Sequence, residues 1–513
     1  MPSVGASLLA KIANDNAALM NARGVLRLFA STLAPTGLRS STKKQDAFAE
    51  QPLMSTPKIS FYNLAWRWHF YAGLFVAPFM VLLALTGIIY LFKPQLDPLM
   101  YGNLLTVQSA EHALSADEQL QRAQAAYPQG KISKYLPPAD ATSSAQFVMR
   151  NDGHEVTVFV DPYRGTVLGE QDAKYNLQAI ARALHGELMI GTVGDRLVEL
   201  AAGWGVMLVI SGLYLWWPRN KSAAGILWPR LGSRGRLFWR DLHAVAGFWG
   251  AAFLLVMLLS GMTWTGFWGK QYAELWNKFP AAMWNNVPQS DQQARSLNTA
   301  SQQTVPWAME NTPMPMSGEH AEHMKHAGMS QGPAAPSIRL QQVVDLANSR
   351  KVEPGYSITF PTTAEGVFTI AVFANDPRND ATLHVDQYSG KVLADVRWEH
   401  YNSVARVTES GVMLHEGKMF GVVNQIIVLL ICLMILLSAV SGLVIWWKRR
   451  PQGSLGVPPL RHDLPKWKTA MAIMLGLAIV FPLVGASLIV VWALDRLVLS
   501  RLFGQRESAS GSA

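Results

Sequence analysis

One stretch of sequence occurs twice, and each copy leads into an apolar run long enough to cross a bilayer. The first copy reads LHGELMIG at 184–191 and ends in SGLYLWW at 211–217; the second reads LHEGKMFG at 414–421 and ends in SGLVIWW at 441–447. The histidine, methionine, glycine, Ser-Gly-Leu triplet and tryptophan pair keep one register, which a shared amphipathic period does not produce. We therefore interpret the chain as an internal duplication whose unit contains membrane helices.

Five apolar segments have the roughly 20 residues that a helix needs to cross the hydrocarbon core. They cover about 70–92, 199–217, 244–266, 424–447 and 470–494 of a 513-residue chain that is only 15% charged. The net charge of +9 comes from basic residues beside these segments. It therefore indicates membrane topology and not a nucleic-acid partner. The single cysteine, Cys432, excludes intrachain disulfides, Cys-ligated iron–sulfur clusters and covalently attached haem.

The repeat also includes the first and third spans and the soluble segments between spans. The spans open with WRWH at 66–69 and WRDLH at 239–243, and the soluble segments share a turn, VDPYRGTVL at 160–168 and VDQYSGKVL at 385–393. A short helix is predicted at 116–126, ahead of alternating β-prone runs. The unit is thus helix, α+β domain, helix. Basic loops place the domains outside the cytoplasm by the positive-inside rule.

The predicted fold is an integral membrane α-helical bundle with five spanning helices and two periplasmic α+β domains. Residues 1–57 are a polar extension, either a cytoplasmic tail or the result of a true start at Met54. The predicted order continues with the first span region (58–100), the first soluble domain (101–184), an interfacial segment with the second span (185–217), a basic cytoplasmic loop (218–242) and the third span (243–268). The order then continues with a periplasmic linker (269–337), the second soluble domain (338–413) and an interfacial segment with the fourth span (414–447). It ends with a second basic loop (448–469), the fifth span (470–494) and a polar tail (495–513).

These motifs together resemble the PepSY-associated transmembrane family over about 60–450. The resemblance implies two periplasmic PepSY domains and a core with two b-type haems. It also implies an inner-membrane, iron-related electron-transfer protein similar to ferric-siderophore reductases. A fifth helix and a Met/His-rich insertion depart from the family's four-helix pattern.

Four histidines at duplicated positions are the candidate haem ligands: His69, His185, His243 and His415. Histidines near hydrocarbon are costly and therefore functional or interfacial, and a bis-His haem needs two neutral imidazoles that face each other. Repeat symmetry predicts that His69 pairs with His243 and His185 with His415; the alternative joins the two histidines of one half. From His185 to Trp217 a straight helix would be about 48 Å long, so a break is expected at Gly191 or Gly194.

Other residues are weaker candidates. Arg67, Arg240 and Arg219 could pair with haem propionates or only set topology. His320, His323, His326, Met324 and Met329, with Met314 and Met316, could bind copper or iron in the insertion at roughly 285–336, although its composition favours a disordered linker. The remaining histidines, His112, His154, His384, His400 and His462, are expected to be solvent-exposed.

The predicted function is reduction of a periplasmic ferric chelate to release Fe(II). The chain has no dinucleotide fingerprint, so a separate reductase or quinol must supply electrons. Two alternatives stay open: copper handling with cupric reduction, and a haem-free PepSY module that binds a peptide or regulates a protease.

Overall fold

A computed structural model describes residues 61–218, 224–278, 289–293, 313–315, 338–361, 366–450 and 468–494. The chain forms two compact units. The first comprises Met1–Pro78, Gly203–Ala251 and Leu437–Ala513, and the second comprises Phe79–Ala202 and Ala252–Leu436. The predicted N-terminal extension and most of the predicted basic loop 448–469 lie outside the described residues.

Twelve helices are found in the described residues. In chain order they are α1 (Phe61–Leu91), α2 (Lys93–Leu105), α3 (Ala116–Ala126), α4 (Leu177–Glu187), α5 (Thr192–Trp216), α6 (Arg236–Met262), α7 (Gly266–Lys278), α8 (Leu340–Ser349), α9 (Ser403–His415), α10 (Val422–Arg449), α11 (Lys468–Val480) and α12 (Pro482–Leu494). Helix α3 lies where the sequence predicts it, whereas α2 and α7 were not predicted. Helix α6 begins inside the predicted basic loop 218–242, because its first turn continues the apolar pattern.

Four of these helices, α1, α5, α6 and α10, are long and apolar enough to cross a membrane, judged over the described residues. The predicted fifth span, 470–494, is not one of them. It forms α11 and α12 on either side of Phe481, because Pro482 cannot donate the next backbone hydrogen bond of a continuous helix. Helix α12 packs on α5, where Val484 contacts Gly203 and the Trp204 indole donates to Ser487 Oγ at 3.2 Å.

The second unit contains an antiparallel sheet. In the first half its strands are β1 (Lys131–Leu136), β2 (Ala145–Asn151), β3 (His154–Val160) and β4 (Val167–Asp172). Two strands of the insertion, β5 (Gln289–Gln293) and β6 (Pro313–Pro315), follow in the chain but do not belong to this sheet. In the second half the strands of the sheet are β7 (Ser357–Thr359), β8 (Val367–Val372), β9 (Ala381–Asp386) and β10 (Val392–Arg397). Strands β5 and β6 pair only with each other, which corrects the prediction that the insertion has no regular structure.

The two predicted soluble domains share one sheet of eight strands, in the order β10-β9-β8-β7-β1-β2-β3-β4. The join is the pairing of β1 with β7, in which Tyr135 lies opposite Ile358. Helices α3 and α8 also meet, since Asp117 accepts from the Leu340 backbone N–H at 2.9 Å. One apolar core therefore contains residues of both halves, and separate domains 101–184 and 338–413 are a correct division of the sequence but not of the core.

A sharp break separates α4 from α5, as the length of that segment predicts. Leu188, Met189 and Gly191 have φ between 53° and 62°, the left-handed region that ends helices. A Cβ at Gly194 would overlap the carbonyl oxygen of Glu187, so this position requires glycine. In the second half the chain turns between α9 and α10, where Asn424 donates to the carbonyl oxygens of Met413 and Leu414.

The five histidines predicted to be solvent-exposed differ in their exposure. His112, His154 and His400 are exposed as expected, and His462 lies outside the described residues. The expectation is wrong for His384, which is 1% exposed on β9 and bonded to Thr369. Burial lowers the pKa of His384 to about 3, so this residue is a neutral part of the sheet core.

We expect the join between β1 and β7 to stabilise the whole sheet. Ile358 is fully buried there, and Ile358→Ala should lower the free energy of unfolding by about 2–4 kcal/mol, because it removes packed methyl groups and leaves a cavity. Pulse proteolysis of the full chain in micelles across a urea series measures this change. Val407→Ala, at a side chain that is 74% exposed, is the control and should stay within about 0.5 kcal/mol. Equal destabilisation by Ile358→Ala and Val407→Ala would contradict the shared core.

Candidate functional site

The four candidate histidines lie in two pairs, one in each unit. In the first unit the ring centroids of His69 and His243 are 6.3 Å apart with an interplanar angle of 81°. In the second unit those of His185 and His415 are 6.1 Å apart at 88°. We call these the first pair and the second pair. Each joins equivalent residues of the two sequence repeats, whereas the two histidines of one half lie in different units.

Each imidazole is held by a hydroxyl group from another helix. The contacts of Nδ1 are His69 with Ser211 Oγ (2.9 Å), His243 with Ser441 Oγ (3.2 Å), His185 with Thr86 Oγ1 (3.0 Å) and His415 with Ser260 Oγ (2.9 Å). His243 Nδ1 also lies 2.9 Å from the carbonyl oxygen of Ser438. One type of contact therefore occurs at all four positions.

The hydroxyl protons are already used within their own helices. Each hydroxyl donates to the carbonyl oxygen four residues earlier: Thr86 to Leu82 (2.7 Å), Ser211 to Met207 (2.7 Å), Ser260 to Val256 (2.6 Å) and Ser441 to Leu437 (2.6 Å). A hydroxyl has one proton, so its oxygen must accept from the histidine, and Nδ1 must carry the hydrogen. In a neutral ring this leaves a lone pair on Nε2, the nitrogen that can bind a metal.

A glycine follows every one of these hydroxyl residues and lies against the same histidine. A Cβ at Gly212 would be 3.1 Å from His69 Cε1, at Gly261 3.3 Å from His415 Cε1, and at Gly87 and Gly442 3.4 Å from those of His185 and His243. These separations are shorter than ordinary carbon–carbon contacts. A Ser/Thr-Gly dipeptide on one helix thus provides both the hydrogen bond and the space that fix an imidazole on another.

The geometry suits one metal ion between the rings of each pair. With metal–nitrogen bonds of about 2 Å and ring centres about 1 Å further out, two ligating imidazoles on opposite sides would have centroids about 6 Å apart. Within the described residues no cluster of three or more His, Cys, Asp or Glu could hold an ion. Two protein ligands alone do not complete a metal site, so the arrangement fits a metal whose other ligands come from a cofactor.

The second pair lies at the ends of α4 and α9, outside the spanning helices. Desolvation and then the neighbouring His415 together lower the pKa of His185 to about 4, and desolvation lowers the pKa of His415 to about 4. Both imidazoles are therefore neutral at physiological pH, which is the form that ligates a metal.

A family model described as the PepSY-associated TM region matches residues 66–449. The chain belongs to this family. The match confirms the predicted resemblance and begins and ends with the repeated helices. None of the curated proteins matches the chain.

Of the three arginines predicted to pair with haem propionates, Arg67 and Arg240 lie among the described residues. Arg67 is buried and close to Tyr71 on α1. Arg240 bonds Asp241 at 2.9 Å, and the same carboxylate accepts from Arg230 at 2.6 Å and 2.9 Å. Arg240 is therefore already engaged in an ion pair. Arg219, together with His320, His323, His326, Met316, Met324 and Met329, lies outside the described residues, as does the side chain of Met314.

Sequence reasoning missed three kinds of residue in the PepSY-associated region. The four hydroxyl residues were visible as part of a repeated Ser/Thr-Gly dipeptide, but only the glycines were interpreted, as helix-packing positions. Asp241, which is fully buried, lies two residues before His243 and corresponds to Arg67 when the two histidines are aligned. Asp380 and Glu409 are buried acids of the second half; Asp380 corresponds to Glu155 in the register of the shared turn, whereas Glu409 has no acidic counterpart in the first half.

The hydroxyl contacts predict one tautomer for all four histidines. In ligand-free protein labelled with ¹⁵N-histidine, NMR should show protonated Nδ1 and unprotonated Nε2 at neutral pH. Ser260→Ala should change the tautomer population of His415 only, because it removes the hydroxyl acceptor of that ring and leaves the Met257 carbonyl as its other partner. Ser349→Ala, at a serine bonded only to its own helix, is the control. Protonated Nε2 in the wild type would contradict the assignment.

Proposed function

We propose that each histidine pair holds one b-type haem by Nε2 of its two imidazoles. The observation that carries the proposal is the repeated geometry: two pairs at 6.3 Å and 6.1 Å, each ring with Nδ1 engaged by a back-bonded hydroxyl. Bound haem would supply one-electron redox chemistry at both positions. The histidines provide neutral ligands, and the hydroxyls fix their tautomer and orientation.

We further propose that the chain is an inner-membrane electron-transfer protein that delivers electrons to a ferric chelate on the side of the eight-stranded sheet. Basic residues flank the tryptophan ends of α5 and α10, which supports a cytoplasmic location of those ends and a periplasmic sheet. The addition of one electron converts Fe(III) to Fe(II), for which hard oxygen ligands have a lower affinity, so reduction releases the metal. The electrons would come from a separate reductase or quinol.

The proposal includes duplication of a helix, four strands and a helix, and a fifth membrane crossing. The paired histidines, the common hydroxyl contacts and the matching halves of the sheet support the duplication. The combined length of α11 and α12, whose residues are mostly apolar, supports a kinked crossing at 468–494 with no equivalent in the repeat.

The first test is the haem content of the purified protein. We expect a low-spin bis-His spectrum with two haems per chain, released by acid acetone. His69→Ala and His243→Ala should each deplete the same haem, and His185→Ala and His415→Ala the other, because each pair shares one metal. A spectrum without a Soret band in protein supplied with haem would remove the proposal and favour a haem-free binding module.

Two glycine-to-alanine variants test whether the close approach of Gly212 to His69 positions the imidazole. Gly212→Ala should reduce occupancy of the first pair several-fold, because the new methyl group lies 3.1 Å from His69 and displaces the ring. Gly247→Ala, where nothing lies within 4 Å, should bind haem as the wild type does. Equal haem content in the two variants would show that the glycine does not position the ring.

The second test is electron delivery. Protein in vesicles, reduced chemically and mixed with a ferric siderophore on the sheet side, should reoxidise while Fe(II) appears in a ferrous trap. His415→Ala should prevent this, since it removes a ligand of the sheet-side pair, whereas Gly247→Ala should not. Reoxidation by Cu(II) but by none of a panel of siderophores would replace the ferric proposal with the cupric one.

A further inference from the structure

Two buried carboxyl groups lie beside an open cleft in the second half of the sheet unit. The cleft has a volume of about 450 Å³, and its lining includes Arg350, Lys351, Arg378, Arg397, Glu399 and Asp380. Asp380 is 1% exposed, and Glu409, on α9, is fully buried. Six residues, about 9 Å of helix rise, separate Glu409 from His415. Asp380 therefore borders the cleft and interacts electrostatically with Glu409, which lies on the helix that ends at His415.

The charges around the two carboxyl groups do not compensate them. Both oxygens of Glu409 and Oδ2 of Asp380 lack a hydrogen-bond partner among the described residues; Oδ1 of Asp380 accepts from the Ala374 N–H at 2.9 Å. The nearby ammonium group of Lys418 contacts Glu416 at 2.5 Å. Arg378, in the cleft wall, is bonded to Asp376.

A buried ionised carboxylate without a partner is strongly unfavourable, and a shared proton removes the cost. Desolvation, and then the charge of Glu409, raises the pKa of Asp380; desolvation and the charge of Glu416 raise that of Glu409, while Lys418 opposes both shifts. The other titratable groups that act on them are Asp376 and Tyr401. Protons are therefore retained at neutral pH and lost as the pH rises above it.

This arrangement occurs in one half of the repeat only. His185 is nine positions after the helix cap Asn176, whereas His415 is thirteen positions after the cap Asn402. The part of α9 that precedes its histidine is therefore longer by about one turn. Counted from the histidine, the position of Glu409 is Ala179; counted from the cap, it is Ala183. The first half has no carboxyl group at either position, so the duplicated architecture does not require Glu409.

We propose that Asp380 and Glu409 form a proton-binding site that supplies a proton to the ligand of a ferric chelate in the cleft as its iron is reduced. This inference rests on the proposed function for its electron donor, a b-type haem at the second pair. The chelate gains one electron, Fe(III) becomes Fe(II), and one Fe–O bond breaks. The freed oxygen takes the proton from Asp380, the proton of Glu409 replaces it there, and a hydronium ion from bulk solvent then returns one proton to the pair, so that the chelate gains one electron and one proton in all. The substrate class is a chelate whose oxygen donors are basic once iron leaves.

The experiment compares the wild type with Asp380→Asn, Glu409→Gln and Glu399→Gln, each in the full haem-loaded chain. Asn and Gln imitate the shape of the neutral acids, and Glu399 is an exposed carboxyl of the same cleft, so its variant is the matched control. Infrared difference spectra on raising the pH above neutral should show loss of a neutral carboxylic acid band in the wild type and the control. The Glu409→Gln spectrum should keep only the part of that band that comes from Asp380, and the Asp380→Asn spectrum only the part that comes from Glu409.

Reduction and release are then timed separately in one stopped-flow experiment. Glu409→Gln should leave the reoxidation of haem by a ferric hydroxamate nearly unchanged. It should slow the appearance of trapped Fe(II) by roughly tenfold or more, since a positioned acid contributes about this much or more. The wild-type release rate should fall as the pH rises above neutral, and that of Asp380→Asn, which lacks the donating carboxyl group, should not. A merely structural role would slow both steps or neither.

Each result has a defined reading. Absence of the acid band in the wild type overturns the proton site. A wild-type release rate and pH profile in both Asp380→Asn and Glu409→Gln overturns proton delivery. Failure of reduced wild-type protein to reoxidise with any chelate overturns the proposed function instead, and the infrared band then decides the proton site by itself.

Discussion

The hydrogen bond from histidine Nδ1 to a back-bonded hydroxyl is the interaction on which both histidine pairs depend. A serine or threonine inside an apolar helix has a carbonyl oxygen four residues earlier as its nearest acceptor. Once that bond forms, the hydroxyl oxygen can only accept. The same helical contact that satisfies the hydroxyl in a medium without water therefore selects the histidine tautomer, and the adjacent glycine lets the ring approach. A dipeptide on one helix determines the chemistry of a side chain on another.

Pairing of the two halves in one eight-stranded sheet removes two exposed edge strands. Four strands with one helix have an unpaired edge on which other chains can pair. Here the edge strand of each half, β1 and β7, pairs with that of the other, and the helices α3 and α8 contact each other through Asp117 and Gln341. Ile358 and Tyr135 thereby become interior residues. The result is one sheet whose outer strands, β4 and β10, are followed in the chain by α4 and α9, the helices of the second pair.

Repetition made much of this molecule predictable from its sequence. The register between the copies indicates which histidines are equivalent, and the excess length after His185 requires a helix break. Local signals were insufficient elsewhere. Strand β7 has only three residues, too few for an alternating pattern, so the join between the halves was not foreseen. Pro482 interrupts a run that composition alone presents as one continuous span. The hydroxyl residues were overlooked because serine near glycine in a membrane helix is usually a packing feature.

Departure from the repeat is as informative as the repeat itself. Two equivalent halves would produce two equivalent sites, yet a protein that moves electrons in one direction needs ends that differ. The symmetric features, the histidines and their hydroxyls, concern the proposed binding of haem, which would be the same task at both positions. The asymmetric features are the extra turn of α9, the buried Glu409 and the cleft bounded by Asp380, and all lie in one half. Because the duplicated scaffold folds around alanine at the equivalent place in the first half, the burial of an acid in the second is not a requirement of folding. Its free-energy cost is consistent with a role that begins only when charge arrives at the second pair.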